Sequence, residues 1–146
     1  MGDTELMQLY SGRILALAAD IPHLGQLDAA QATVRKRSPL CGSMVTVGLT
    51  LADGRVAGFA QDVKACALGQ AAAAVVGGAV VGRTVAELVT AQEALRTMLT
   101  QDGPVPDAPF DGFAALEPAR AFRNRHASIM LAIDAAVEAA QEASPL

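Results

Sequence analysis

Three side chains in this sequence could hold a metal or a reactive sulfur: Cys41, Cys66 and His126. Thiolates and imidazole are ligands for zinc and for iron–sulfur clusters. Each of the three stands where the backbone should change direction. Cys41 lies in the tight loop Ser38-Pro39-Leu40-Cys41-Gly42-Ser43, Cys66 at the join of an extended segment and an alanine-rich one, and His126 near the start of the last helical segment. Arg35, Lys36 and Arg37 precede the first, Lys64 stands beside the second, and Arg123 and Arg125 flank the third. These are six of the eleven basic residues, in a chain of net charge −4. Nearby cations and a helix N-terminus both favour thiolate over thiol. The plainer reading stands beside this one. A lone cysteine is often a small buried hydrophobe, a basic run is often a solvated strand edge, and two Cys with one His fall short of the usual four-ligand zinc spacing. The other histidine, His23 beside Pro22, reads as a surface residue.

The elements that must position these residues can be read from periodicity. Leu6, Leu9, Tyr10, Ile14 and Leu17 recur at helical spacing, which predicts a helix over Thr4 to Asp20, closed by Pro22 and Gly25. Strands are expected at Gln31 to Arg37, at Met44 to Leu51 with Val45, Val47, Leu49 and Leu51 on one face, and at Arg55 to Gln61. Asp53-Gly54 between the last two is a hairpin turn, because both central residues of a type I′ turn need positive φ. A small-residue helix is expected from Cys66 to Val81, with Gly77, Gly78 and Gly82 as packing and stop signals. Thr84 and Glu87 have capping-box spacing ahead of a helix over Val85 to Thr100. Gln101 to Pro109, with three prolines, must be a loop. A short turn near Phe113 to Leu116 precedes a last helix from Arg123 to Glu142. The fold class is α+β: a three-stranded antiparallel sheet with helices on one face, in one domain spanning 1–146. A meander brings the loop entering strand two and the end of strand three to the same edge, so Cys41 and Cys66 should converge.

Composition narrows the function. The acidic balance argues against nucleic acid as a partner, since phosphate binding needs a net basic footprint. The longest apolar stretch, Ala71 to Val81, is about half the ~20 residues of a membrane helix. No targeting segment is visible at the N-terminus, so a cytoplasmic protein with reduced cysteines is expected. Aromatic residues are 3% of the chain and Trp is absent, so the core must be packed from Ala, Val, Leu and Met.

The same residues carry a family resemblance. Ser38-Pro39-Leu40-Cys41-Gly42-Ser43 resembles the Asn-Pro-x-Cys-Gly-Asp loop of the U-type iron–sulfur scaffolds (IscU, SufU and the NifU N-terminal domain). Cys66-Ala67-Leu68-Gly69-Gln70-Ala71 resembles their Gly-x-Gly-Cys-Ala-Ile-Ser-x-Ala-Ser segment, and Gly82-Arg83-Thr84 their Gly-Lys-Thr. Leu9-Tyr10 and Pro22-His23-Leu24-Gly25 are similar to the family's N-terminal Tyr and Pro-Arg-x-x-Gly. Arg123-Asn124-Arg125-His126-Ala127-Ser128-Ile129 resembles the SufU-type Arg-Ile-Lys-Cys-Ala-Thr-Leu. The resemblance implies a SufE/NifU-like fold and thiolate ligands at Cys41 and Cys66. It departs at the Asp after the first Cys, which is Ser43, and at the third Cys. In a SufU register His126 replaces that Cys, and Arg123 and Arg125 also match. In an IscU register His126 is the family His and Ala127 replaces the Cys. Val63 and Ala65 stand where the family has glycines, which makes the turn before Cys66 less tight.

What the resemblance implies is a scaffold or carrier binding a [2Fe–2S] cluster or a metal through Cys41, Cys66 and His126. Its partners would be a cysteine desulfurase and recipient apo-proteins, the chain itself being a monomer or weak homo-oligomer. The alternatives are a zinc-dependent, SufU-like sulfur acceptor (an enzyme rather than a scaffold) and a non-catalytic relative that has lost ligands. The family's Leu-Pro-Pro-Val-Lys chaperone-recognition motif is absent, Glu117-Pro118-Ala119-Arg120 being the nearest stretch.

Overall fold

The computed structural model describes residues 10–39 and 42–145. Three strands form one antiparallel sheet in the order β1-β2-β3: β1 (Ala32–Arg37), β2 (Met44–Ala52) and β3 (Arg55–Lys64). Alternation in β2 drives the arrangement. Val45, Val47 and Leu49 are fully buried on the face that receives the helices, as period-2 patterning requires. Asp53 and Gly54 take φ of 54° and 77° at the hairpin, the left-handed pair that a type I′ turn needs.

Among the described residues, five helical segments accompany the sheet: α1 (Gly12–Ala19), α2 (Ala67–Ala79), α3 (Val85–Thr100), a 3-10 helix (Asp111–Ala121) and α4 (Arg123–Ala143). Helix α4 lies across β1 and β2, α2 packs on β3 and α4, and α1 packs on α2. Close approach of α2 and α4 depends on small side chains. Ala71, Ala72 and Ala73 of α2, with Ala135 and Ala136 of α4, are wholly buried. The capping box is present: the Thr84 hydroxyl accepts from the Glu87 amide at 3.1 Å and the Glu87 carboxylate from the Thr84 amide at 2.9 Å.

Three boundaries differ from the sequence reading by more than two residues. Strand β3 continues past Gln61 to Lys64, because Val63 and Lys64 pair with Val45 and Met44. The expected turn near Phe113 is an eleven-residue 3-10 helix with Pro118 inside it. The first helix starts at Gly12, with Ser11 as its N-cap, and the expected residues 4–9 lie outside the described residues. A register shift between Thr50 and Leu51 also escaped the sequence reading: Leu51 faces Val56 while Leu49 faces Phe59, which leaves Ala57 as an extra residue in β3.

Candidate metal centre at the end of the meander

Cys66 follows β3 and forms the N-cap of α2, with φ −66° and ψ 171° and no side-chain cap bond to the helix. Its thiol is free and half-buried. The sulfur lies 3.4 Å from the Ser128 hydroxyl of α4. Ser128 in turn donates to the Ser43 hydroxyl at 3.2 Å. Both serines are buried, at 1% and 4% exposure. Three segments distant in sequence therefore meet at one corner: the start of β2, the start of α2 and the first turns of α4.

The loop that carries Cys41 is closed at its base. The Ser38 amide donates to the Ser43 carbonyl at 2.8 Å and the Gly42 amide to the Ser38 carbonyl at 3.1 Å. Gly42 takes φ of 71°, which the tight return requires. Cys41 lies outside the described residues. Ser43, two positions further on, is linked to Cys66 through Ser128; the expected convergence of Cys41 itself with Cys66 falls outside the described residues.

His126 sits two residues before Ser128, about 200° away around α4. Its Nε2 is 2.9 Å from the Ala119 carbonyl. A carbonyl only accepts, so Nε2 carries a proton, and in the neutral ring Nδ1 keeps its lone pair for another partner. The half-buried ring borders two hollows. One, of about 370 Å³, is lined by Lys36, Arg37, Ser38, Pro39 and Arg96 among others. The second, of about 540 Å³, includes Thr100, Asp102, Arg120 and Arg123. The described residues thus bring Cys66 together with Ser43 and Ser128, and set His126 beside the Ser38-Pro39 end of the loop. Among the described residues, no three His, Cys, Asp or Glu side chains form a group that could hold a metal ion. The set named from sequence needs Cys41, which is not among them.

The electrostatics of this corner are distinctive. Arg37, Lys64, Arg123 and Arg125 have no carboxylate partner among the described residues. Neither α2 nor α4 has an acidic residue in its first turn. Both helices thus begin with uncompensated amides and the positive end of the helix dipole.

Ser128 is the site residue that sequence reasoning passed over. It was read only as one letter of the motif around His126. Its signal was a serine in a run of buried apolar residues on a long helix, with Gly69 across from it.

Three antiparallel strands capped by helices, with a cysteine at the turn from β3 into α2, define an α+β class shared with known proteins. The chain belongs to the NifU-like N-terminal domain family, whose profile matches residues 9–120. Cys41 and Cys66 fall inside that match and His126 beyond its end. The crystal structure of a NifU-like protein (N-terminal) from Brucella abortus is 40% identical, with a TM-score of 0.93 over 95% of this chain and 96% of that one. A second structure comes from thermophilic Fervidobacterium islandicum AW-1, of a protein put forward as an iron–sulfur cluster assembly scaffold for the SUF system. It is 16% identical, with a TM-score of 0.80 over 90% of this chain and 96% of that one, and shows the shared fold. No curated protein matches the chain significantly. Among the described residues, no helix is long and apolar enough to cross a membrane.

Proposed function

We propose that this protein is an iron–sulfur cluster assembly scaffold or carrier, a single cytoplasmic domain that holds its cargo through Cys41, Cys66 and His126. The reading rests on family membership and on one observation above others. Cys66 is joined through Ser128 to Ser43, at the foot of the loop that carries Cys41. The donor chemistry present suits a [2Fe–2S] cluster or Zn²⁺. Cys66 offers a half-exposed thiol, and His126 offers Nδ1 while Ala119 holds its other nitrogen. Mixed Cys and His ligation of [2Fe–2S] has a precedent in Rieske-type centres. A cysteine desulfurase would supply sulfur as persulfide, and Arg37, Lys64, Arg123 and Arg125 would draw that anion to the corner. Recipient apo-proteins would take the finished cluster.

The test is anaerobic purification and reconstitution with iron and sulfide, followed by elemental analysis and an absorption spectrum. Stoichiometric iron and sulfide with visible charge-transfer bands are expected. The proposal is sunk if the chromophore is no greater than that of a Cys41→Ala variant.

A second reading, a zinc-bound sulfur acceptor, is favoured by Ser43. A neutral hydroxyl at the family's Asp position leaves two Cys, one His and an open place, the pattern of catalytic rather than structural zinc. Stoichiometric zinc, no colour and a persulfide mass adduct after incubation with a desulfurase and cysteine would select it.

A further inference from the structure

We propose that Ser128 is a positioning residue for the Cys66 sulfur, tethering it to the Cys41 loop before any cargo arrives. The inference rests on the metal-binding reading above and deepens it. A serine hydroxyl at 1% exposure is unfavourable unless it is hydrogen-bonded. This one has two partners, the Cys66 sulfur at 3.4 Å and the Ser43 hydroxyl at 3.2 Å. With one hydrogen and two lone pairs it can serve both at once. It thereby connects the only described cysteine to the residue that ends the loop of the other.

The opposite wall keeps space for this hydroxyl. A Cβ at Gly69, in the first turn of α2, would lie 2.6 Å from Ser128 Oγ and 2.8 Å from Ala65 Cβ. Helix α2 is otherwise built of good helix formers and small apolar residues, and glycine is the weakest of its residues in a helix. Its presence there is explained by the approach of Ser128. Two positions on two helices are thus matched to place one oxygen beside one sulfur.

Ser128 acts through Cys66 rather than on the cargo. By fixing the thiol on the Ser43 side, it spares the metal the ordering of a free cysteine arm. Groups that orient a ligand in this way are worth about 10–100-fold in metal affinity.

The experiment is a cobalt(II) titration of the full chain under reducing conditions, reading the thiolate-to-cobalt charge-transfer band, for wild type, Ser128→Ala, Ser128→Thr and Cys66→Ala. Thermal unfolding of each metal-free variant is followed alongside. Ser128→Ala should reach the wild-type band intensity at saturation but need about ten- to hundred-fold more cobalt, with its unfolding temperature little changed. Ser128→Thr, which keeps the hydroxyl, should recover most of the affinity. Wild-type affinity in Ser128→Ala overturns the proposal, and so does a changed band at saturation, which would make Ser128 a ligand instead. Should Ser128→Ala fail to fold, Ser43→Ala carries the test, with a smaller loss expected. If wild type binds cobalt and Cys66→Ala does not, while Ser128→Ala binds normally, only this inference fails. If wild type gives no charge-transfer band, the metal-binding reading and this inference fall together.

Discussion

The two ends of the sheet solve the same local problem in opposite ways. At the hairpin end, Arg55 and Arg83 share one carboxylate. Arg55 Nη1 donates to the Gly82 carbonyl at 2.8 Å and to the Glu87 carboxylate at 3.3 Å, and Arg83 meets the other oxygen of Glu87 at 3.2 Å. Thr84 caps α3, and the Gly82 and Val56 backbones bond each other's neighbourhood at 2.8 and 2.9 Å. At the cysteine end, α2 and α4 start on Cys66 and Phe122 with no side-chain cap, and four cations stand without carboxylates among the described residues. Capping and charge pairing are worth fractions of a kcal/mol to about 2 kcal/mol apiece. The cysteine end forgoes them, and its positive charge is left unanswered by carboxylates among the described residues.

The sharpest way to break this contrast is Cys66→Ala. Metal affinity should fall by more than about 100-fold, beyond what outer partners give, while the hairpin end is undisturbed; equilibrium dialysis with zinc reads the first and urea unfolding the second. Next comes a pair of glycines on the same helix. Gly69→Ala should destabilise by about 1–3 kcal/mol through overpacking against Ser128. Gly78→Ala, whose Cβ would meet nothing within 4 Å, should stabilise by about 0.5–1 kcal/mol. Urea denaturation of both variants would show whether the two sites differ in sign. At the other end, Thr84→Ala should cost about 1 kcal/mol of stability and leave zinc affinity unchanged, since it touches only the closed end.

The smallest effect is acid dependence at Glu87. The Thr84 amide hydrogen bond, aided by the Thr84 hydroxyl and by Arg83 and Arg55, holds its carboxyl below the ordinary value of 4.5. A lowered folded-state value means that the contribution is fully present above about pH 4.5 and is lost as pH falls through the lower value. The stability difference between wild type and Glu87→Gln should therefore be constant near neutrality and shrink on acidification. A difference that grew instead would show the carboxylate to be unfavourably placed.

Most of the fold could be read because its signals are local. Asp53-Gly54 forces the hairpin, the alternation of Val45, Val47 and Leu49 sets the buried face, and Thr84 with Glu87 starts α3 at the expected residue. The 3-10 helix was harder to see, since Pro118 argues against helix and no 3.6-residue period runs through it. Phe110 at its N-cap and the buried Phe113, Leu116 and Ala119 recur every three positions, which is the 3-10 repeat itself, with Ala115 buried beside them. At the candidate centre, the types of Cys66 and His126 and their cationic surroundings were legible. Ser128 was not, because its bond to Cys66 spans 62 positions and no local pattern encodes such a contact. The Ala119 carbonyl behind His126 escaped for a similar reason. It depends on how the 3-10 helix folds back on α4.

The extra residue in β3 gives the sheet a parity. A two-residue turn at Asp53-Gly54 pairs Ala52 with Arg55 and Leu51 with Val56, and unbroken counting would then set Leu49 opposite Gly58. The core needs Leu49 opposite Phe59, as it stands. Ala57 is the difference between what the turn dictates and what the core demands. Were Ala57 drawn into the ladder instead of bulged out of it, the hairpin could still close, but Phe59, Gln61 and Val63 would exchange faces with Gly58, Ala60 and Asp62. An acid would enter the core, and the strand would deliver Cys66 on the wrong beat. Where the cysteine points is thus decided partly by a single alanine at the opposite end of its strand.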